Sequence, residues 1–303
     1  MKNELITFVS PKNQISEVFR TLRTNIQFMN VDEKLKSLLV TSTVPGEGKS
    51  WVSANLAITF AQTGKKVLIV DADMRKGRQH DIFELNNSKG LSNYLIMTTQ
   101  NDVINTIAEY IQPTLIDNLY VMTAGVVPPN PSELLTSQKM VDLIKHLEKI
   151  FDLVIFDGTP STIVTDAIIL SKFVNTTLIV TAHKITKIDD LNQVKRNILN
   201  VGGKIAGIIL NKTPSKKKEY KSGYYYENSV VPAKKSIFSA QKSNSKKKIE
   251  DNEIKEVKEK LNQVEGAPAK EEQVKENKED PDDVDINLVL KQLSRYLTET
   301  DKK

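Results

Sequence analysis

The chain has 303 residues, no cysteine, three widely spaced histidines and a formal net charge of +5. That length can bury a substantial core, while the cysteine count excludes disulfide frameworks, thiolate metal sites and cysteine nucleophiles, and the histidine spacing argues against a zinc centre. No apolar run of about 18 residues occurs and the N-terminus lacks the apolar core of a signal peptide, so a soluble, cytoplasmic protein is expected.

Residues 1–13 are polar and broken by Pro11. From Ser16 to Met29 the spacing of Ile15, Val18, Phe19, Leu22, Ile26 and Phe28 predicts a helix with a broad apolar face. Glu17, Arg20 and Arg23 recur every three residues on its other side. Such a row is either a solvated face with an i, i+3 ion pair, worth a few tenths of a kcal/mol, or a contact surface for another subunit.

The stretch from Leu38 to Ser50 follows. An apolar run predicts a buried strand, Pro45, Gly46 and Gly48 predict a turn, and Ser50 to Ala61 predicts a helix. Strand, glycine turn, Gly-Lys-Ser and helix form the setting of a phosphate-binding loop. Glycines let the backbone approach a polyphosphate, and the N–H groups of a helix N-terminus point at the anion. Lys49 supplies a charge for the β/γ-phosphates and the Ser50 hydroxyl a ligand for Mg²⁺. The full pattern has glycine at position 43, where this chain has Thr43; an ordinary strand-to-helix turn is the alternative.

Val67 to Val70 reads as a central strand that ends in Asp71-Ala72-Asp73-Met74-Arg75. Ligands of open α/β sheets bind beyond the carboxyl ends of strands. Side chains repeat every two residues along a strand, so Asp71 and Asp73 share a side. Two carboxylates there suit a Mg²⁺ shell, or one metal-linked group and one base; a turn stabilised by aspartate is the plainer option. Leu115 to Met122 predicts another strand, Gly125 to Pro131 an extended proline-rich loop, and Ser132 to Lys149 a helix. Phe151 to Asp157 is a third apolar strand closed by a carboxylate, the form of a Walker B aspartate. A helix from Asp166 to Phe173, a strand over 177–181, a helix over 188–199 and a strand over 205–211 complete the pattern. Alternating strands and helices mean βαβ units. The fold class expected is therefore α/β: a P-loop NTPase-like parallel sheet with helices on both faces and a disordered C-terminal tail.

Composition changes after Lys212. Residues 212–248 hold eleven lysines against two glutamates, and residues 249–283 hold thirteen acids against six lysines. Apolar residues are sparse in both blocks, which leaves too little to bury for order. Tyr220, Tyr224, Tyr225 and Tyr226, half of the eight tyrosines, fall within seven residues of the basic block. They have nothing periodic to pack against, which leaves a phosphorylated tail or a stacking arm for nucleic acid. Ile286, Val289, Leu290, Leu293 and Leu297 predict a short amphipathic helix over 284–298 for docking a partner, or else one that frays alone.

With these residues in place, the chain resembles the cytoplasmic bacterial protein-tyrosine kinases of capsule and exopolysaccharide synthesis over about residues 10–230. Pro45 to Ser50 is similar to that family's Walker A, which commonly lacks the first glycine. Val70 to Arg75 matches its Asp-x-Asp-x-Arg element, and Asp157 its Walker B, with Gly158 where Ser or Thr is usual. Glu17-x-x-Arg20-x-x-Arg23 matches its subunit-interface motif, Pro128 to Leu135 a further signature, and the tyrosine cluster its autophosphorylated C-terminus. That cluster is short, and some seventy residues continue past it where the family usually stops.

The resemblance implies a protein-tyrosine kinase using ATP and Mg²⁺. Gly46, Glu47, Gly48, Lys49, Ser50 and Trp51 would hold the nucleotide. Ser50, Asp73 and Asp157 would hold the metal, and Asp71 would accept the tyrosine proton, with the roles of Asp71 and Asp73 interchangeable. Tyr220, Tyr224, Tyr225 and Tyr226 would accept phosphate in trans within a homo-oligomeric ring built on Glu17, Arg20 and Arg23. Partners implied are a transmembrane adaptor that recruits the kinase to the inner face of the plasma membrane, a cognate tyrosine phosphatase, and UDP-sugar dehydrogenase or glycosyltransferase substrates; no nucleic acid is expected. The segments become 1–30 (interface helix), 31–212 (P-loop domain), 213–232 (tyrosine tail), 233–283 (charged linker) and 284–303 (terminal helix). Two rivals stand against this: a partitioning or cell-division ATPase, whose signature lysine is replaced here by Val44, and a binding module built on the Lys/Tyr arm.

Overall fold

The computed structural model describes residues 4–29, 34–97 and 107–214. The tyrosine cluster, the charged linker and the predicted helix over 284–298 lie outside the described residues. Within them, the strands are β1 (Ser37–Ser42), β2 (Val67–Asp71), β3 (Gln112–Pro113), β4 (Leu119–Met122), β5 (Leu153–Pro160), β6 (Thr176–Ala182) and β7 (Ile205–Asn211). They form one sheet in the order β3-β4-β2-β5-β1-β6-β7. Every pair is parallel except β3 with β4.

The helices are α1 (Ile6–Val9), α2 (Gln14–Met29), α3 (Lys49–Ala61), α4 (Gln79–Phe83), α5 (Leu91–Met97), α6 (Pro131–Thr136), α7 (Gln138–Ile150), α8 (Asp166–Ser171) and α9 (Ile188–Asn200), with a 3₁₀ turn at Ile107–Tyr110. They cover both faces, which is why the central strands read as unbroken apolar runs. Alternate residues enter opposite cores. Leu68, Val70, Val154 and Phe156 pack with α5 to α8, while Val67, Ile69, Leu153 and Ile155 pack with α2 and α3. That period of two carries Asp71, the last residue of β2, and Asp157, within β5, onto the α3 side. β2 and β5 are neighbours, and Asp71 and Asp157 are partners in register.

α3 is buried on nearly every side, with only Trp51 part-exposed beyond its first residue, because the sheet lies on one flank and α1 and α2 on the other. Asn55 fastens this layer. Its Oδ1 accepts from the Thr7 N–H and hydroxyl (both 3.0 Å), and its Nδ2 donates to the Glu4 carbonyl (2.8 Å).

Several elements differ from the sequence expectation. The strand expected from Leu115 starts at Leu119, because Asn118 turns the chain at φ +63°, a conformation asparagine tolerates. The helix expected over 132–149 is two, since Ser137 is extended and caps α7 with its own hydroxyl, accepting from the Met140 N–H. α2 buries Phe19 and Ile26 but leaves Ile15, Val18 and Phe28 exposed, the last at 73 %. No helix among the described residues is long and apolar enough to cross a membrane.

Candidate active site

The loop between β1 and α3 takes its shape from two glycines with positive φ. Gly46 stands at +81°, and Gly48, at the N-cap of α3, at +100°. Gly48 is also pressed against Asn211, the last residue of β7: a Cβ there would lie 2.3 Å from Asn211 Nδ2. The same Nδ2 donates to the Glu47 carbonyl (2.8 Å).

Glu47 turns inward. Its fully buried carboxylate accepts from the Thr43 N–H (2.7 Å), the Val44 N–H (3.0 Å) and the Thr43 hydroxyl (2.6 Å), and from Thr186 in the turn after β6. Thr43 therefore serves the loop with its hydroxyl, where a glycine has none. Glu47 has only its backbone left to face a phosphate. Trp51 packs edge-to-face on Phe19 of α2, with ring centroids 5.2 Å apart. The first N–H groups of α3 have no partner inside the helix, and they open onto a cleft of about 460 Å³ that Gly46, Gly48, Lys49, Ser50, Trp51, Asp73 and Arg75 help to line.

At the inner end of this cleft the Lys49 ammonium gathers the sequence-predicted residues. Its Nζ is 3.0 Å from Asp73 Oδ2, 3.8 Å from Asp157 Oδ1 and 3.2 Å from Ser50 Oγ. Burial alone would lower the Lys49 pKa, but the carboxylates of Asp157, Asp73 and Asp71 outweigh it and the pKa ends up raised. Asp73 lies past the end of β2 and also holds its turn, accepting from the Lys76 N–H (2.9 Å), so the turn-forming and charge-bearing roles coexist. Asp71 is completely buried and is pushed up to about 8, first by desolvation and then by repulsion from Asp157. The Gln79 N–H (2.9 Å) and the Lys49 charge oppose that rise. Gly77 makes the close approach possible, since a Cβ there would meet Asp71 Oδ2 at 2.7 Å.

The oxygen donors suit a hard divalent ion. Mg²⁺ takes one or two carboxylates and completes its shell with water and phosphate, and Ser50 Oγ, Asp73 and Asp157 already converge on one positive group. No group of three or more carboxylate or imidazole ligands that would form a closed cage occurs among the described residues.

Sequence reasoning missed several participants. Gln79 donates its side-chain amide to Asp157 Oδ2 (2.8 Å) and the Ser50 carbonyl (3.1 Å). Asp166 of α8 receives Arg75 Nε (2.9 Å) and the Ser132 hydroxyl (2.6 Å), joining the turn after β2, α6 and α8. Arg75 and Ser132 stand inside recognisable motifs, whereas Gln79 has no sequence signal. On α2, Glu17 pairs with Arg20 near the surface, and Arg20 also donates to the Pro11 carbonyl (2.7 Å). Arg23 points the other way and donates to the Thr59 carbonyl of α3 (2.9 Å). The four tyrosines lie outside the described residues.

Comparison with known proteins agrees in family. Residues 35–206 match a family model described as an AAA domain. The chain is 44% identical over 217 residues to CapB of Staphylococcus aureus, spanning 71% of this chain and 91% of that protein. It is 40% identical over 226 residues to the tyrosine-protein kinase YwqD of Bacillus subtilis, spanning 74% of this chain and 92% of that protein. Among solved structures, the chimerical protein CapA2B2 aligns with a TM-score of 0.64 at 41% identity, over 71% of this chain and 92% of that one. The kinase domain of the Escherichia coli tyrosine kinase ETK aligns with a TM-score of 0.65 at 33% identity, over 71% and 84%.

Proposed function

The chain belongs to the bacterial tyrosine-protein kinases of the capsule and exopolysaccharide type, and from that premise we propose how its residues transfer a phosphoryl group from ATP to tyrosine. The observation that carries the proposal is the convergence of Ser50, Asp73 and Asp157 on the Lys49 ammonium at the inner end of a cleft that starts at a helix N-terminus. The backbone of Gly46 to Trp51 binds the phosphates, and Lys49 adds its charge at the β/γ position. Ser50, Asp73 and Asp157 hold Mg²⁺, which when bound neutralises phosphate charge. Asp71 accepts the proton of the incoming tyrosine hydroxyl. Burial first, and then its neighbour in register Asp157, keep its proton affinity high, which suits a base near neutral pH. Catalysis is then positioning and charge neutralisation.

The acceptors are Tyr220, Tyr224, Tyr225 and Tyr226 of another copy, in a ring that uses the outer surface of α2. One similar structure bears a name that joins an A and a B component. This fits a separate transmembrane adaptor that completes the site and draws the kinase to the inner membrane face. A cognate phosphatase reverses the modification, and UDP-sugar dehydrogenases or glycosyltransferases are further substrates.

The test is incubation with ATP, Mg²⁺ and a peptide from the adaptor's cytoplasmic tail, with phosphate mapped by mass spectrometry. Phosphate on Tyr220 to Tyr226, reduced at least about 100-fold in Lys49→Met, is expected. ATP hydrolysis without phosphotyrosine would favour the switch-type ATPase instead.

A further inference from the structure

The two carboxylates paired in register across β2 and β5, Asp71 and Asp157, are both held by a single residue, Gln79. Its backbone N–H donates to Asp71 Oδ2 (2.9 Å), and its Nε2 donates to Asp157 Oδ2 (2.8 Å) and to the carbonyl of Ser50 (3.1 Å). One side chain thereby ties the Walker B carboxylate to the first turn of α3. The two acceptors fix which end of the amide is nitrogen. Its Oε1 is buried with no partner, and Gln79 is wholly inaccessible to solvent.

That unpartnered carbonyl bears on the residue's purpose. A buried polar atom without a hydrogen bond is costly, and an apolar side chain of equal size avoids the cost. Packing alone therefore does not account for glutamine here. The electrostatics do. Asp71, Asp73 and Asp157 surround one lysine, so an added anion would repel, and an added cation would compete for the metal position. A neutral double donor orients Asp157 without altering the net charge.

We infer that Gln79 is a positioning residue for the metal: its amide locks Asp157 against the Ser50 backbone, leaving Asp157 Oδ1, which faces Lys49 and takes a long bond from the Ser53 hydroxyl (3.3 Å), to meet the divalent ion. Partners that orient metal ligands typically change metal affinity or activity 10–100-fold when removed. The inference rests on the proposal that Asp157 and Ser50 hold the ion.

The experiment uses the full chain with a non-hydrolysable ATP analogue and Mn²⁺ as the probe, its affinity read by electron paramagnetic resonance. Kinase kinetics and urea midpoints are measured alongside. Gln79→Met keeps the volume and loses both donors. It is expected to weaken Mn²⁺ about 10-fold or more and to lower kcat, with KM for ATP little changed. Gln79→Glu, equal in size but aiming oxygen at oxygen, is expected to do no better. Unchanged Mn²⁺ affinity in folded Gln79→Met overturns the inference. If that variant fails to fold, Gln79→Asn decides in the same way, because its shorter amide cannot span both acceptors. Asp157→Asn separates the two ideas. If it too leaves Mn²⁺ affinity untouched, the metal assignment itself is wrong; if it alone weakens binding, only the role of Gln79 is.

Discussion

Asp71 answers two opposed demands. Desolvation and Asp157 favour its neutral form, while the chemistry proposed for it uses the anion. The consequence is measurable without nucleotide or divalent ion. The folded chain holds this proton with a pKa of about 8 against an ordinary 3.8. Between those values the folded state binds more proton than the unfolded one, so the contribution of Asp71 to stability declines as pH rises through that window and is constant above it. Asp71→Asn removes the titration. Its thermal midpoint is expected to exceed that of the parent protein at pH 8, with the difference shrinking toward pH 5, while kcat drops about 10²–10⁴-fold. Scanning calorimetry at both pH values and a kinase assay check the two halves. Equal midpoints across the pH range would show that Asp71 bears no such penalty.

At the scale of elements, α3 is the hub, and its attachments are specific. Asn55 satisfies the start of α1, so Asn55→Ala strands the Thr7 N–H in the interior. A loss of about 1–3 kcal/mol is expected in urea unfolding, with hydrogen exchange accelerated in residues 5–9. Gly48→Ala adds a methyl at φ +100° against Asn211. It is expected to abolish nucleotide binding in an equilibrium titration, even where the protein still folds. The helices and strands were largely legible in the sequence, because a parallel sheet covered on both faces demands apolar runs and the carboxylates end those runs visibly. The break at Ser137 was not legible there, because the apolar spacing of a single helix continues across it. Gln79, Thr186 and Asn211 were not legible. They act through contacts between distant turns, and no periodicity marks them. Likewise, the meeting of Asp71 with Asp157 follows from the placement of β2 beside β5, an order that strand patterns do not encode.

For the whole molecule, the outer surface of α2 sets the expectation about assembly. Val18 and Phe28 stand exposed on the helix that carries Glu17 and Arg20, whereas Arg23 is committed to α3. The three motif residues therefore separate by experiment. Glu17→Ala with Arg20→Ala is expected to reduce the assembled size in gel filtration while changing monomer stability by no more than about 0.5 kcal/mol. Arg23→Ala is expected to lower stability as well, by about 1 kcal/mol. Phosphorylation adds close to −2 per tyrosine to a block with a net charge of +9, and the phosphorylated protein is expected to elute later than its Tyr→Phe counterpart. Identical elution would detach phosphorylation from assembly.

The inward turn of Glu47 sets a rule for anyone transplanting this loop. Its carboxylate and carbonyl are anchored also by Thr186, in the turn after β6, and by Asn211, at the end of β7, both far along the chain. A graft of residues 43–50 into a foreign scaffold would keep the Thr43 and Val44 donors to the buried anion but lose Thr186 and Asn211. The portable unit is therefore discontinuous, a loop together with two remote polar residues, and a chimaera that respects only sequence contiguity will lose the grip it was meant to import.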